Sequence, residues 1–375
     1  MQTPLRVVHL FRAPVGGLFR HVCDLARAQV ERGLCVGIIC DSSTGDRNAE
    51  SALESLDKLC DLGVQRVAMQ RIPGWSDLPA IRTLGTILQR QSPDVVHGHG
   101  AKGAAYARLL GRKLAARIVF TPHGGILHYS EATLVGRVYI TLERLLRRWT
   151  SGAIFESKFA RQAYLRKIGP ITFPDCVVYN GLHDREYDRS PPRHAEYDFV
   201  FVGELRSLKG IYELIEAIAA IRQECPVSLL MAGAGDEKAR LTDRIVESGA
   251  ADSISLSPPI YPATEAFSRA RCVVAPSLNE SFPYIVLEAL ATGIPVVTTC
   301  VGGVPEMFGP YANQLIQPGN SSDLKKAMLA VLDDPDRAKV RADALYQHVK
   351  QRFCVSSMAD RSIAFYRDIV GQARD

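Results

Sequence analysis

Two doubly wound α/β domains in series are predicted by three observations. The chain has 375 residues, and at roughly 100 to 200 residues per domain that length suits two buried cores. Short β-branched runs alternate with helical patterns, the layout that builds parallel sheets covered on both faces. A polar stretch rich in Pro, Arg and Asp at residues 183–197 interrupts the alternation, which then restarts.

The elements are expected in this order. Before the polar stretch, β-branched runs place strands at 5–10, 34–40, 94–97, 117–121, 153–155 and 176–179. Apolar residues at three- and four-residue spacing place helices at 19–31, 78–89, 102–114, 134–150 and 159–167. After it, strands are expected at 198–202, 227–232, 253–256, 271–275 and 295–298, and helices at 211–223, 237–247, 283–292, 322–332 and 337–352. The domains then read as 1–182 and 197–354, with a last apolar pattern from 355 to the C-terminus. Ligands in such sheets bind at the carboxyl ends of the strands, so the site is expected in the cleft between the domains.

Composition excludes several classes. Hydrophobic residues make up 47% and charged residues 23%, which argues against disorder, collagen and long coiled coil. No apolar run reaches the roughly 18 residues of a membrane span, and Met1 to Arg12 lacks a signal-peptide layout. The nine cysteines are scattered with no CxxC pair, reading as reduced, mostly buried thiols of a cytoplasmic protein. The net charge of +5 is asymmetric. Residues 1–182 carry 24 Lys+Arg against 14 Asp+Glu, a balance of +10, whereas the remainder carries 21 against 26, a balance of −5. A basic front half suggests an anionic partner: membrane surface, phosphate-bearing lipid or nucleic acid. Arg144, Arg147, Arg148, Lys158, Arg161, Arg166 and Lys167 crowd two consecutive helices there and suit an anionic membrane or a lipid diphosphate. No nucleic-acid recognition motif accompanies them.

The most informative stretch is residues 273–297. A buried strand ends in a polar loop, Ser277 to Ser281, and a helix opens with Pro283 near its first turn. Gly293 and Pro295 stop it. The free amides and dipole of that helix start favour an anion. Glu280 precedes the helix and Glu288 lies about one and a half turns inside it. Their spacing suits a ligand with hydroxyls at both ends and phosphates between, such as a nucleoside diphosphate sugar.

Glu280-x7-Glu288 followed by Gly293-x-Pro295-Val-Val resembles the signature of retaining glycosyltransferases of family 4, which adopt the GT-B fold. Four further segments match in order. Gly16-Gly17, after the first strand, resembles the glycine loop near the donor phosphates. Asp94-Val-Val-His-Gly-His99 and Phe120-Thr-Pro-His-Gly124 resemble the histidine-bearing strand ends. Gly203-Glu-Leu-Arg-Ser-Leu-Lys-Gly210 resembles the phosphate clamp, and Val301-Gly-Gly-Val-Pro-Glu306 the loop after the next strand. The likeness spans roughly residues 5–310.

The resemblance implies an enzyme that moves a sugar from a UDP- or GDP-sugar to a glycan or lipid-linked acceptor with retention, in envelope or exopolysaccharide synthesis. It is expected in the cytoplasm or peripherally at the inner membrane face. His123, Arg206, Lys209 and Glu280 are implied as catalytic. Arg206 and Lys209 would take the charge growing on the diphosphate, and Glu280 would bind donor-sugar hydroxyls. His123 would donate a hydrogen bond beside the reacting carbon. Gly16, Gly17, Gly203, Phe282, Glu288, Gly302 and Gly303 are implied as donor-binding, with Glu288 on the ribose. His97 and His99, spaced by two, fall on one face of a strand end, but no third metal ligand lies nearby; they are read as supporting or acceptor-side residues. No cofactor and no metal are expected, because Asp334-Pro-Asp336 reads as an interhelical turn and not as a DxD site. By resemblance the terminal helix, about 355–375, returns to the first domain.

Two departures from the family pattern stand out. Glu204 occupies the position after Gly203 where Arg is common, with Arg206 two residues on as its substitute. Pro283 stands where Gly is frequent, removing one N–H. The rival functions are a nucleotide-sugar epimerase of the same fold and a non-enzymatic basic surface-binding module. A dehydrogenase is poorer, because Gly233-x-Gly235-Asp lacks the third glycine of a dinucleotide fingerprint.

Overall fold

The computed structural model describes residues 3–72, 74–75, 77–125, 132–188 and 195–372. The chain divides into two compact units, residues 1–181 together with 355–375, and residues 182–354.

The first unit is built on a seven-stranded sheet of β1 (Arg6–Leu10), β2 (Cys35–Asp41), β3 (Val64–Val67), β4 (Val95–His99), β5 (Arg117–Thr121), β6 (Gly152–Phe155) and β7 (Asp175–Val177). The order is β3-β2-β1-β4-β5-β6-β7, all parallel. Helices α1 (Gly16–Glu31), α2 (Arg47–Leu59), α3 (Asp77–Gln91), α4 (Gly100–Gly111), α5 (Leu134–Leu146) and α6 (Lys158–Lys167) connect the strands. Strand alternation divides the core into two layers: Val7 joins Leu25, Val36 and Ile38, while Val8 and Leu10 join Ile39, Leu84 and Val96. The order reverses between β1 and β4, the switch point where parallel sheets open a crevice at their strand ends.

The second unit repeats the principle with β8 (Tyr197–Val202), β9 (Leu229–Ala232), β10 (Ile254–Ser257), β11 (Ala270–Ala275) and β12 (Val296–Thr298) in the order β10-β9-β8-β11-β12, again parallel. Its helices are α7 (Ile211–Arg222), α8 (Lys238–Glu247), α9 (Ala263–Phe267), α10 (Tyr284–Thr292), α11 (Val304–Phe308), α12 (Ser321–Asp333) and α13 (Pro335–Lys350). Here the switch point lies between β8 and β11. The last helix, α14 (Val355–Gly371), packs in the first unit: Met358, Ala359, Ile363 and Tyr366 share a core with Val22, Leu25 and Ala26, and Arg32 Nε meets Asp360 Oδ1 at 2.6 Å.

Several expectations change. β3 and α2 were not anticipated, nor were the five-residue helices α9 and α11. The stretch expected as a linker begins inside the second unit. Leu182 N–H donates to the Phe353 carbonyl (3.0 Å), and the Tyr187 hydroxyl, fully buried, donates to the same oxygen (2.7 Å). Residues 189–194 of that stretch lie outside the described residues. Pro283 is the N-cap of α10, just before its first turn. Asp334 is the single residue between α12 and α13 and caps α13 by accepting from Arg337 N–H at 3.0 Å, so Pro335 and Asp336 are the first residues of that helix and not part of a longer turn. Of the nine thiols only four are buried, and Cys300 is exposed.

Candidate functional site

The strand ends of the first unit carry five histidines. Parallel pairing sets His9 of β1 opposite His97 of β4, and the two-residue period puts His99 on the same face. His21 comes from α1 and His123 from the loop after β5. Pro122 ends β5, and His123 then adopts a left-handed backbone (φ 48°), which a non-glycine residue takes only against strain. The Gly124 N–H fixes this loop by donating to buried Glu156 Oε1 at 3.0 Å.

The rings form a directional relay. His9 Nε2–H donates to the Gln29 amide oxygen (2.8 Å), so its Nδ1 is the acceptor of the neutral ring. That Nδ1 accepts from His99 Nε2–H (2.9 Å), and His99 Nδ1 accepts from His123 Nε2–H (3.0 Å). One amide thereby sets three tautomers and leaves Nδ1 as the acceptor nitrogen of half-buried His123. His21 Nδ1–H donates to Asn180 Oδ1 (2.9 Å); its Nε2 is buried without a partner among the described residues, and its ring lies edge-on to His123 at 4.7 Å. Burial holds all five rings neutral. It pushes His9 down to about 4, opposed by the Gln29 bond and reinforced by His21. It pushes His21 to about 4 against the Asn180 bond and the Asp24 charge. His97, His99 and His123 are driven well below the ordinary imidazole range by burial first and by neighbouring rings second.

The expectation that no third ligand accompanies His97 and His99 is therefore corrected. His9/His97/His99 and His21/His99/His123 each bring ring nitrogens within 4.8 Å of one another. The His9–His99 and His99–His123 separations of 2.9 and 3.0 Å are hydrogen-bond spacings. Ligands of a tetrahedral site with bonds of about 2.0 Å stand roughly 3.3 Å apart, so the rings are arranged as proton-sharing neighbours. His97 does not reach outward to an acceptor. It is fully buried, with Nδ1 bonded to the Tyr366 hydroxyl (2.6 Å) of α14 and Nε2 to Thr121 Oγ1 (2.9 Å). Gly16 and Gly17 open α1, whose first amides receive no side-chain cap from Val15.

In the second unit, three loops at strand ends interlock. Gly203 ends β8 and donates its N–H to the Ala232 carbonyl (3.1 Å). Arg206 is half-exposed, with Nη1 3.3 Å from Glu204 Oε2. Lys209 closes a single 3₁₀ turn, and Gly210 is left-handed (φ 70°), with the Pro276 carbonyl so near that a Cβ would meet it at 1.9 Å. That contact sets Lys209 against the loop after β11. Its Nζ donates to Glu280 Oε1 at 2.6 Å, and Ser277 Oγ–H donates to the same oxygen at 2.8 Å. The loop after β12 closes over this arrangement: Gly303 N–H donates to the Ser281 carbonyl (2.6 Å), and a Cβ on Gly302 would come within 2.2 Å of the Glu280 carbonyl. Glu288 is half-buried on α10.

The Phe282 side chain is 4% exposed and packs on the Phe353 ring at 5.6 Å, so the ring itself belongs to the core. Sequence reasoning missed His9, His21, Gln29, Asn180 and Glu156. A polar residue inside a run otherwise bound for burial, such as His9 in Val7-Val-His-Leu10, was the available signal for the first of them.

Two parallel-sheet α/β units with glycine- and histidine-bearing loops at their strand ends define a protein of GT-B fold. Anabaena HepE in its UDP complex superposes with a TM-score of 0.80 at 19% identity, over 97% of this chain and 100% of that one. Sucrose-phosphate synthase from Thermosynechococcus elongatus gives 0.81 at 20% identity, over 97% and 99%. Residues 15–186 match the family described as Glycosyltransferase Family 4, and residues 184–348 match Glycosyl transferases group 1. Glycogen synthase of Mycobacterium tuberculosis is 26% identical over 405 residues, covering 94% of this chain and 91% of that protein. The chain is a glycosyltransferase of the family 4 type.

Proposed function

We propose that the enzyme is a retaining, metal-independent hexosyltransferase that takes its sugar from a UDP- or GDP-sugar and gives it to a glycan or lipid-linked acceptor of the cell envelope, working at an anionic membrane surface. The observation that carries the donor part is the Lys209–Glu280 pair, a cation and a carboxylate held 2.6 Å apart where three strand-end loops interlock through Gly210 and Gly302. A diphosphate brings its own negative charge to Lys209 and Arg206. As Lys209 turns to it, the Glu280 oxygens become available to the sugar hydroxyls. The ion pair keeps both groups in place until the donor arrives and competes for the cation. The HepE complexes with UDP and with UDP-glucose support a nucleotide-sugar donor for a chain of this fold.

Charge growing on the leaving diphosphate meets Lys209, Arg206 and backbone amides, which makes a metal ion dispensable. In the first unit, neutral His123 spends its one N–H on His99, so it would meet the transferred sugar through Nδ1 as a hydrogen-bond acceptor and not as the donor expected from the sequence. Glu288 is assigned to the nucleoside ribose. No cofactor is required.

Calorimetry of the free nucleoside diphosphate separates the two carboxylates. Glu288→Gln should weaken its binding, whereas Glu280→Gln should leave binding nearly unchanged and lower kcat by about tenfold to a thousandfold, or about 1.4 to 4 kcal/mol on the barrier. Weakening by Glu280→Gln alone would show that the roles are misassigned. A thermal-shift panel of UDP, GDP and their sugars identifies the base, since ligands of the folded state raise its melting temperature by mass action.

A further inference from the structure

Among the described residues no helix is long and apolar enough to cross a membrane, yet one helix presents its apolar side chains to solvent. On α5, Leu134, Val135, Val138, Leu142 and Leu145 are 75, 59, 54, 42 and 45% exposed. Its opposite side, Gly136, Ile140, Glu143 and Leu146, is buried in the unit. At 3.6 residues per turn the five exposed residues fall on one continuous stripe covering roughly a third of the circumference. A stripe of that size on a helix already docked by its other face is not needed for the core.

One edge of the stripe is cationic. Arg137, Arg144 and Arg148 follow one side of it and are all exposed. Bonds to carbonyl oxygens hold several basic side chains at this surface: Arg144 to Ile168 and Lys167, Arg147 to Pro170 and Arg148 to Leu145. The single acidic residue in the α5 sequence, Glu143, faces inward, where its Oε1 meets buried Arg108 at 2.7 Å. The exposed side of α5 is thus apolar and positive. Lys158, Arg166 and Lys167 on the next helix, α6, are of the same sign, while Arg161 there is paired with Asp175.

We propose that this face of α5 lies in the plane of an anionic bilayer, with Leu134, Val138, Leu142 and their neighbours entering the acyl boundary and the arginines at the phosphate level. An apolar stripe flanked by arginines is the layout of an interfacial helix, which seats its apolar face about 5–10 Å into the headgroup region. Charge selects this occupant over a second copy, because a face-to-face dimer through α5 would bring two arginine ridges of like sign together. The proposal deepens the membrane part of the function given above and names the surface responsible for it.

The test uses full-length protein and vesicle flotation without any sugar substrate. Wild type should partition at least tenfold better onto phosphatidylcholine vesicles containing phosphatidylglycerol than onto phosphatidylcholine alone, and salt should reverse the gain. The triple variant Leu134→Ser, Val138→Ser, Leu142→Ser should lose at least tenfold of that binding while keeping the wild-type melting temperature. A Val138→Trp variant should show a blue-shifted emission on the anionic vesicles, since the introduced ring would leave water. Equal flotation of wild type and triple variant, or an emission from the Val138→Trp variant that the vesicles leave unshifted, overturns the proposal. So does a wild-type dimer that the triple variant dissolves, which would assign the stripe to a second copy. Transfer to a water-soluble acceptor is measured alongside: a wild type that transfers sugar but does not float with the anionic vesicles refutes only the surface, and one that floats without transferring refutes only the chemistry.

Discussion

Acidification from about pH 7.5 to about pH 5 should destabilise the first unit through its buried histidines. In the unfolded chain an imidazole titrates near 6.5, whereas in the folded unit His9 and His21 titrate at about 4. At pH 5 the unfolded form of each ring is almost fully protonated and the folded form almost fully neutral. Linkage then makes each ring weaken folding by about 2 kcal/mol, or about 4 kcal/mol for the pair. The sign follows from the depressed folded values. The contribution is fully present above about 6.5, is lost as the pH falls towards about 4, and changes no further below that. His97, His99 and His123 are shifted the same way and add to the loss. Asp24, beside His21, opposes it in part. The lowered carboxyl groups of Asp41 and Asp77 act in more acidic solution, outside this window. For a unit of this size, about 4 kcal/mol corresponds to roughly 8 to 16 °C in Tm. Scanning calorimetry at the two pH values measures it, and the slope of Tm against pH should flatten in the His9→Gln, His21→Gln double variant whatever that variant's absolute stability. An unfolding midpoint that is flat between pH 7.5 and 5, or a double variant with the wild-type slope, would refute the reasoning.

Three further outcomes are expected. Lys209→Ala and Arg206→Ala should each weaken nucleoside diphosphate binding by about 1.5 to 3 kcal/mol; calorimetry reads this, and normal affinity in both would remove them from the phosphate site. Transfer should persist in EDTA, and a loss of turnover restored by Mg²⁺ or Mn²⁺ would show that the cations do not suffice. Arg108 is fully buried, stacks 4.0 Å from the centre of the Phe120 ring and holds Glu143 at 2.7 Å. Arg108→Ala should therefore lower stability by about 3 to 5 kcal/mol in urea titration, and Arg108→Met with Glu143→Leu should recover most of it.

What could be read from the sequence was what depends on local chemistry. Residues 117–121 and 211–222 carry their strand and helix patterns in consecutive residues, and Gly293 announces the end of α10 by its left-handed turn. β3 was illegible because only Val67 of its four residues is buried, as befits an edge strand without an alternating pattern. α2 was legible in principle, since Ala49, Leu53 and Leu56 recur at helical spacing and are its buried face. The second-unit site could be assembled from motifs because Lys209, Glu280 and Gly302 each sit in a loop with its own signature. The histidine relay could not. It depends on the register of β1 against β4 and on Gln29 and Asn180, residues 20 and 159 positions from the rings they bond.

The return of α14 to the first unit fixes an order of events during synthesis. The second unit is an insertion: it begins at Leu182 and ends at Cys354, and those two residues bridge to each other. Every residue of it is translated before α14 is made. The first unit meanwhile lacks Met358, Ile363, Phe365 and Tyr366 from its core, and His97 lacks the hydroxyl that holds its Nδ1. A segment translated after the second unit therefore completes the unit translated before it. The emerging N-terminal sheet must keep an apolar face exposed through the whole translation of residues 182–354, so this half of the enzyme is where a chaperone or an aggregation partner has longest to act.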